Sequence, residues 1–232
     1  MPAAGKVTIG YSLPYVAKYH DNGDGTTSYS DGQQLARGVS VNVSPESSDN
    51  NNFFANNIIA ENDAGTFTGG QATLTVDGLL QEAEQMIQGL QAADADGFIN
   101  YDDDQQAPYL GVGFIIKSRS DNVDYYTPVI LTKTVCSQIE TAAETQGEEI
   151  DWQTQDLVFN IYKDDSTKRR WKRVGGELTS EALAEAAIKN VFGIVDPEPE
   201  PEPPESESES ESLSMSESES ASESEIDSLS EG

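Results

Sequence analysis

Apolar and polar residues alternate with a period of two through most of the chain, so the sequence predicts strands before it predicts anything else. Val7, Ile9 and Tyr11 set the alternation, and Tyr15, Ala17 and Tyr19 resume it after Pro14. Asp21-Asn22-Gly23-Asp24-Gly25 is a dense turn signal ahead of Thr26 to Tyr29, which together predict a hairpin. Val39, Val41 and Val43 alternate with Ser40, Asn42 and Ser44 until Pro45 is expected to halt the strand. A polar loop from Glu46 to Asn52 should follow, with Phe53 and Phe54 anchoring its far end. After Gly69-Gly70, Ala72, Leu74 and Val76 mark another half-buried strand.

The period then changes to that of a helix. Leu79, Leu80, Ala83, Met86, Ile87 and Leu90 fall on one face, with Gln81, Glu82, Glu84 and Gln85 opposite and Asp77 as the expected N-cap. Further strands are predicted at Tyr109 to Lys117, Tyr125 to Val135 and Gln153 to Tyr162. A last helix is signalled by Thr179 or Ser180 as cap, by Leu183, Ala187, Ile188, Val191 and Phe192 as its stripe, and by Gly193 as terminator. The fold class read from this is mainly β (α+β), with packed antiparallel strands and an amphipathic helix laid on them.

Asp196 opens a break in composition that changes the picture of the chain. Residues 1–195 read as one domain, large enough to bury roughly 70% of the surface its unfolded chain exposes. Residues 196–204 alternate Glu and Pro and predict a stiff polyproline II linker of ~25 Å. Residues 205–232 are a Ser-Glu-rich tail whose Leu213, Met215, Ile226 and Leu229 are too sparse to form a core, so disorder is expected.

Charge follows the same division. The 232 residues carry 42 Asp and Glu against 13 Lys and Arg, for a net charge of -29. Residues 196–232 hold 14 of the acids and no base, which leaves 28 acids against 13 bases in the domain. Such a polyanion is not expected to grip nucleic acid through its net charge. One cysteine, Cys136, excludes an internal disulfide and, with the single His20, leaves no Cys/His metal set. The apolar run Leu110 to Ile116 is far short of the ~20 residues that span a bilayer, and residues 1–6 do not lead into a signal-peptide core. No membrane partner is expected, and synthesis in a reducing compartment is.

Catalytic chemistry finds little support. Cys136 lacks a base nearby in sequence and reads as a small strand residue. Asp102-Asp103-Asp104 and Glu148-Glu149 with Asp151 have the oxygens for Ca²⁺ or for paired-carboxylate hydrolysis, but neither spacing is met, so solvated loop charge is the reading. Catalytic, cofactor-binding and metal residues are therefore all read as none. Lys168, Arg169, Arg170, Trp171, Lys172 and Arg173 form the one strongly basic segment. Contact with an acidic face of a neighbouring subunit is the first reading of it, ahead of a solvated edge strand and of a DNA contact. As a strand it would put Trp171 on the face opposite Arg170 and Lys172.

Several strings carry a resemblance. Gly5-Lys6-Val7-Thr8-Ile9-Gly10, Leu35-Ala36-Arg37-Gly38-Val39, Gly65-Thr66-Phe67-Thr68-Gly69-Gly70 and Leu74-Thr75-Val76-Asp77-Gly78-Leu79-Leu80 come first. Asp104-Gln105-Gln106-Ala107-Pro108-Tyr109, Leu131-Thr132-Lys133-Thr134 and Glu149-Ile150-Asp151-Trp152-Gln153-Thr154-Gln155 continue in the same order. Over roughly residues 5–175 the chain resembles the major tail proteins of long flexible-tailed bacteriophages of Gram-positive hosts.

The resemblance implies a virion protein, made and assembled in the host cytoplasm. It implies two packed antiparallel β-sheets flanked by a helix, no active site, and stacked hexameric rings that form a tail tube. Its implied partners are itself and the tape measure, tail terminator and distal tail proteins, with genomic DNA passing through the lumen unbound. Residues 45–57 or 102–108 are expected at contacts between rings, and the Ser-Glu tail, a departure from the family, is expected to project outward. The alternative is a surface-displayed β-rich module that binds a glycan or protein from an acidic stalk. A hydrolase using Asp103 or Glu149 is a third reading.

Overall fold

The first hairpin forms where the alternation places it. The computed structural model describes residues 5–49, 51–63, 65–145 and 152–195, without the side chains of residues 51, 53–55 and 59–63. In it β1 (Val7–Asp21) pairs antiparallel with β2 (Thr27–Gln34). Asp21 and Asp24 fold the turn between them by accepting the Gly23 and Thr26 N–H groups at 2.9 and 2.8 Å. Pro14 sits within β1 because the strand bulges there: Leu13 takes a positive φ of 50°, and the pairing to the next strand shifts between Ser12 and Tyr15.

Pro45 does not end its strand. β3 (Gly38–Ser47) runs through it, with Pro45 opposite Gly70 of β6 (Phe67–Val76), because β3 lies at the margin of the sheet and its outer side needs no donor. Nor is the following segment a polar loop. β4 (Asn51–Ala55) and β5 (Ile58–Asp63) pair across Asn56-Asn57, whose φ angles of 53° and 64° make a two-residue type I′ turn. The expected anchoring by Phe53 and Phe54 lies outside the described side chains.

The expected pair of sheets is instead one hydrogen-bonded antiparallel sheet of eight strands, alongside the two-stranded β4-β5. Its order is β2-β1-β7-β8-β9-β6-β3, where β7 is Leu110–Ser120, β8 Val123–Cys136 and β9 Gln155–Tyr162. The short β10 (Lys172–Val174) also joins β8. Continuity comes from β8, whose 14 residues pair with β7 along one side. On its other side β10 takes Val129–Leu131 and β9 takes Lys133–Cys136.

This single sheet nevertheless forms two layers. β1 and β3 are second and seventh in order, which in a flat sheet would separate them by roughly 24 Å. Yet a Cβ built on Gly38 of β3 would stand 2.2 Å from Tyr11 Cε1 of β1, so the sheet curls until its ends meet. Inside the curl Val16, Val112, Phe114 and Leu131 are buried with Leu74, Val76, Leu157 and Phe159. Alternate residues of the same strands, Tyr15, Ala17, Ile115 and Ile130, form a second core on the outer face under α2 (Glu181–Phe192). β7 is thus covered on both faces, which explains why Leu110 to Ile116 reads as a continuous apolar run.

The two helices begin differently. α1 (Gln81–Gln88) starts four residues after the expected Asp77, with Leu80 at its N-cap and no side chain capping it. The Asp77 carboxylate is engaged by the Arg37 backbone N–H at 3.0 Å and by the Arg37 guanidinium. Ala83 and Ile87 turn into the inner core, whereas Leu80 is exposed. α2 is capped as expected: Ser180 Oγ accepts the Leu183 N–H, and Gly193 ends it at a φ of 67°. Its buried stripe is Ala184, Ile188 and Phe192, which leaves the predicted stripe residue Leu183 exposed. The helix approaches β7 closely at Gly113, where a Cβ would lie 2.8 Å from Ile188 Cγ2 and 2.9 Å from Phe192 Cε2.

The described residues gather into one compact unit. The expected linker 196–204 and tail 205–232 lie outside the described residues.

Candidate interaction surface

Beyond β9 the chain folds back over the β1-β2 turn, and one buried carboxylate organises the reversal. Asp164 is 3% exposed and accepts from Ser166 Oγ at 2.6 Å, from the Arg170 N–H at 2.7 Å and from the Ser166 N–H at 3.3 Å. Its own N–H donates to the Arg170 carbonyl, which closes the loop. Thr167 N–H donates to Gly25 O. Asp165 is tied to the body twice: its N–H donates to Tyr19 Oη at 2.8 Å, and its carboxylate accepts the Tyr19 hydroxyl at 2.9 Å. The Lys133 ammonium also pairs with Asp165 and holds its carboxyl below the usual carboxylate range.

The basic segment is therefore an ordered platform. Only its last two residues, Lys172 and Arg173, are strand, so the expected alternation does not extend along it. Trp171 turns inward, with its indole stacked on Phe67 at 4.4 Å between centroids, and Lys172 lies over that indole at 5.8 Å. Thr132 fixes the backbone here by donating its N–H to Trp171 O and its hydroxyl to Arg170 O. Lys168, Arg169, Arg170 and Arg173 are left exposed.

These cations divide between two open clefts. Lys168, Arg170 and Arg173 line one of about 660 Å³ with hydroxyls from Thr26, Ser28 and Thr167. Arg169 lines another of about 420 Å³, where it is joined by Lys133 and Lys163 and by the rings of Tyr109 and Tyr162. Lys133 and Lys163 lie outside the basic run; the pairing of Lys133 with Tyr162 across β8 and β9 and the loop closed by Asp164 bring them beside Arg169.

Ion pairing separates this segment from the rest of the molecule. Lys6 pairs with Glu177, Lys18 with Asp31, Arg37 with Asp77, Lys117 and Arg119 with Asp124, Lys133 with Asp165 and Lys189 with Glu185. The six remaining cations are Lys163, Lys168, Arg169, Arg170, Lys172 and Arg173, and none has a carboxylate within 4 Å among the described residues. In a chain of net charge -29, internal partners are not scarce. The platform keeps its charge because the fold engages its backbone and the Trp171 ring and leaves its cationic side chains out.

The other sequence candidates are dispersed. Cys136 is buried, and burial pushes its thiol up to about 12. His20 bonds Ser30 Oγ at 2.7 Å on the exposed β1-β2 hairpin. Asp102, Asp103 and Asp104 are exposed on the loop after α1, which Gln105 ties to the helix by donating to Gln88 O. Glu148, Glu149 and Asp151 lie outside the described residues. Of the segments expected at ring contacts, 45–57 contains the end of β3, the strand β4 and the Asn56-Asn57 turn, and 102–108 is this acidic loop. Among the described residues, no three His, Cys, Asp or Glu side chains come together as a metal set. No described helix is long and apolar enough to cross a membrane. Comparison with protein-family models and with curated proteins finds no match to this chain.

Proposed function

We propose that this chain is a structural subunit that assembles with copies of itself, as the tail-tube subunit of a long-tailed phage would. The observation that carries the reading is the bare edge of β3. This strand of 10 residues closes the sheet, and its outer side is hydrogen-bonded to no other strand among the described residues. From Ser40 to Ser44 it has no lysine, arginine or proline to blunt it, and open edges are templates for pairing with another chain. The ordered sequence strings that resemble phage major tail proteins support a tail tube as that assembly. Stacked rings around a channel for genomic DNA follow, with the tape measure, tail terminator and distal tail proteins as further partners and the virion as location. The acidic charge suits a conduit, since a wall that bound phosphates would release counterions and hold the DNA back. No catalytic role belongs to this reading.

The experiment is negative-stain microscopy of the concentrated protein together with light scattering. Rings or tubes are expected. A strict monomer at every concentration, with absence from purified virions, overturns the reading.

A second reading is a binding module, favoured by the cleft where Tyr109 and Tyr162 are about half exposed beside Lys163 and Arg169. It ranks second because the Lys133 ammonium already covers the Tyr109 face at 4.3 Å, which leaves a poor platform for stacking a sugar. Glycan-array binding lost on Tyr162→Ala would favour it.

A further inference from the structure

The unpaired cations of residues 163–173 need a partner that the described part of this chain does not supply. Resting on the self-assembly reading, we propose that this basic platform receives the acidic segment 94–104 of a second copy of the chain.

Charge complementarity selects that segment. Residues 38–116 contain 12 acidic residues and no Lys, Arg or His. Five of the acids, Asp94, Asp96, Asp102, Asp103 and Asp104, fall within 94–104, and none of the five takes part in an ion pair among the described residues. One surface therefore has six cations outside any ion pair beside Asp164 and Asp165, and another on the same chain has acids without bases. Neither is satisfied among the described residues, and two copies satisfy both.

The acidic segment is built to be presented. Asp94 folds residues 94–98 into a turn: its N–H donates to Phe98 O, and its carboxylate accepts the N–H groups of Asp96 and Phe98 at 3.0 and 2.9 Å. Asn100 adds a side-chain bond to the same carboxylate. The turn holds the Phe98 ring in solvent, 69% exposed. Tyr101, 57% exposed, is steadied by its hydroxyl bond to Glu84 of α1. Two exposed aromatic rings rimmed by carboxylates have the composition of an interface centre, where aromatics supply the buried area and charges set the register. The receiving side offers matching features. Lys168, Arg170 and Arg173 line a cleft of about 660 Å³, and the exposed Tyr109 and Tyr162 line its neighbour with Arg169.

Full-length protein tests the pairing by charge reversal. One variant carries Lys168→Glu, Arg170→Glu and Arg173→Glu, and the other Asp102→Lys, Asp103→Lys and Asp104→Lys. All six side chains are exposed, and circular dichroism and melting temperature check that each variant folds. Each variant alone is expected to lose self-association by about 100-fold or more, because like charges face each other at every contact. Mixed in equal amounts they restore oligomers containing both in a 1:1 ratio, since each reversed surface then meets its opposite. Phe98→Ala should weaken association of the parent about 10-fold without changing its salt dependence. If both reversed variants assemble as the parent does, the pairing is overturned while self-assembly stands. If each fails alone and the mixture also fails, the pairing is again overturned. A parent that never assembles refutes the self-assembly reading itself, and this inference with it.

Discussion

The Trp171 indole lies flat on the Phe67 ring, with planes 5° apart and centroids 4.4 Å apart. This contact pins the basic platform to the start of β6, and it removes from the surface the one aromatic side chain that the basic run contains. The run therefore presents its charges to solvent, and its one ring is occupied by Phe67. Trp171→Ala is expected to cost roughly 2 kcal/mol in urea unfolding, and Trp171→Phe less than half of that. An unchanged urea midpoint for Trp171→Ala would show that the platform is held by its backbone bonds alone.

Gly113 is the point where α2 meets the sheet. A single methyl there would stand within 3 Å of both Ile188 and Phe192, which are buried and have no room to retreat. Gly113→Ala should destabilise by about 1–3 kcal/mol, as overpacking of a filled core does. Ile188→Val in the same chain should recover part of the loss, and the double-mutant cycle measures how much.

Capping distinguishes the two helices. Ser180→Ala removes the bond to the Leu183 N–H and should cost about 1 kcal/mol. Asp77→Ala, at the position the pattern assigns as a cap, should leave the helical circular dichroism signal unchanged, because its carboxylate serves Arg37 and not α1.

Alkaline pH tests the buried hydroxyls and the thiol. Burial pushes Tyr29 and Cys136 up to about 12, and burial followed by the bond to Glu185 does the same for Tyr15. Burial raises Tyr11 further still, and its hydroxyl has no partner. The folded state thus holds protons that the unfolded state gives up from 9.0 for Cys and 10.0 for Tyr. Stability from these groups is complete below about pH 9 and falls as pH rises toward 12. Urea midpoints across that range should decline steadily, and a flat profile would contradict the burial of these groups.

Much of the fold is legible in the sequence, because period-two alternation reports burial directly. The hairpin around Asp21–Gly25 and the strands β6, β8 and β9 follow from it, the apolar run marks β7, and the helical period with its Ser180 cap marks α2. Failures arise where a distant partner competes. Asp77 looks like a cap until Arg37, 40 residues away, takes its carboxylate. Pro45 looks like a stop until its strand turns out to be a margin. The number of sheets depends on hydrogen bonding through β8, on which side-chain pattern is silent. At the basic platform the sequence displays residues 168–173 as a run. It does not display Lys133 and Lys163, which reach Arg169 only in the folded chain, nor the inward turn of Trp171.

The place of β6 between β3 and β9 has a consequence during synthesis. Gln71 finds Ser44 early but must wait for Asn160 on its other side. At ~5–20 residues per second, the ribosome leaves one edge of β6 open for several seconds. The nascent chain carries no positive charge from residue 38 to 116 during that wait. Neighbouring chains on one message then repel each other while their edges are open, so the same acids that lack internal partners in the finished fold protect the unfinished one.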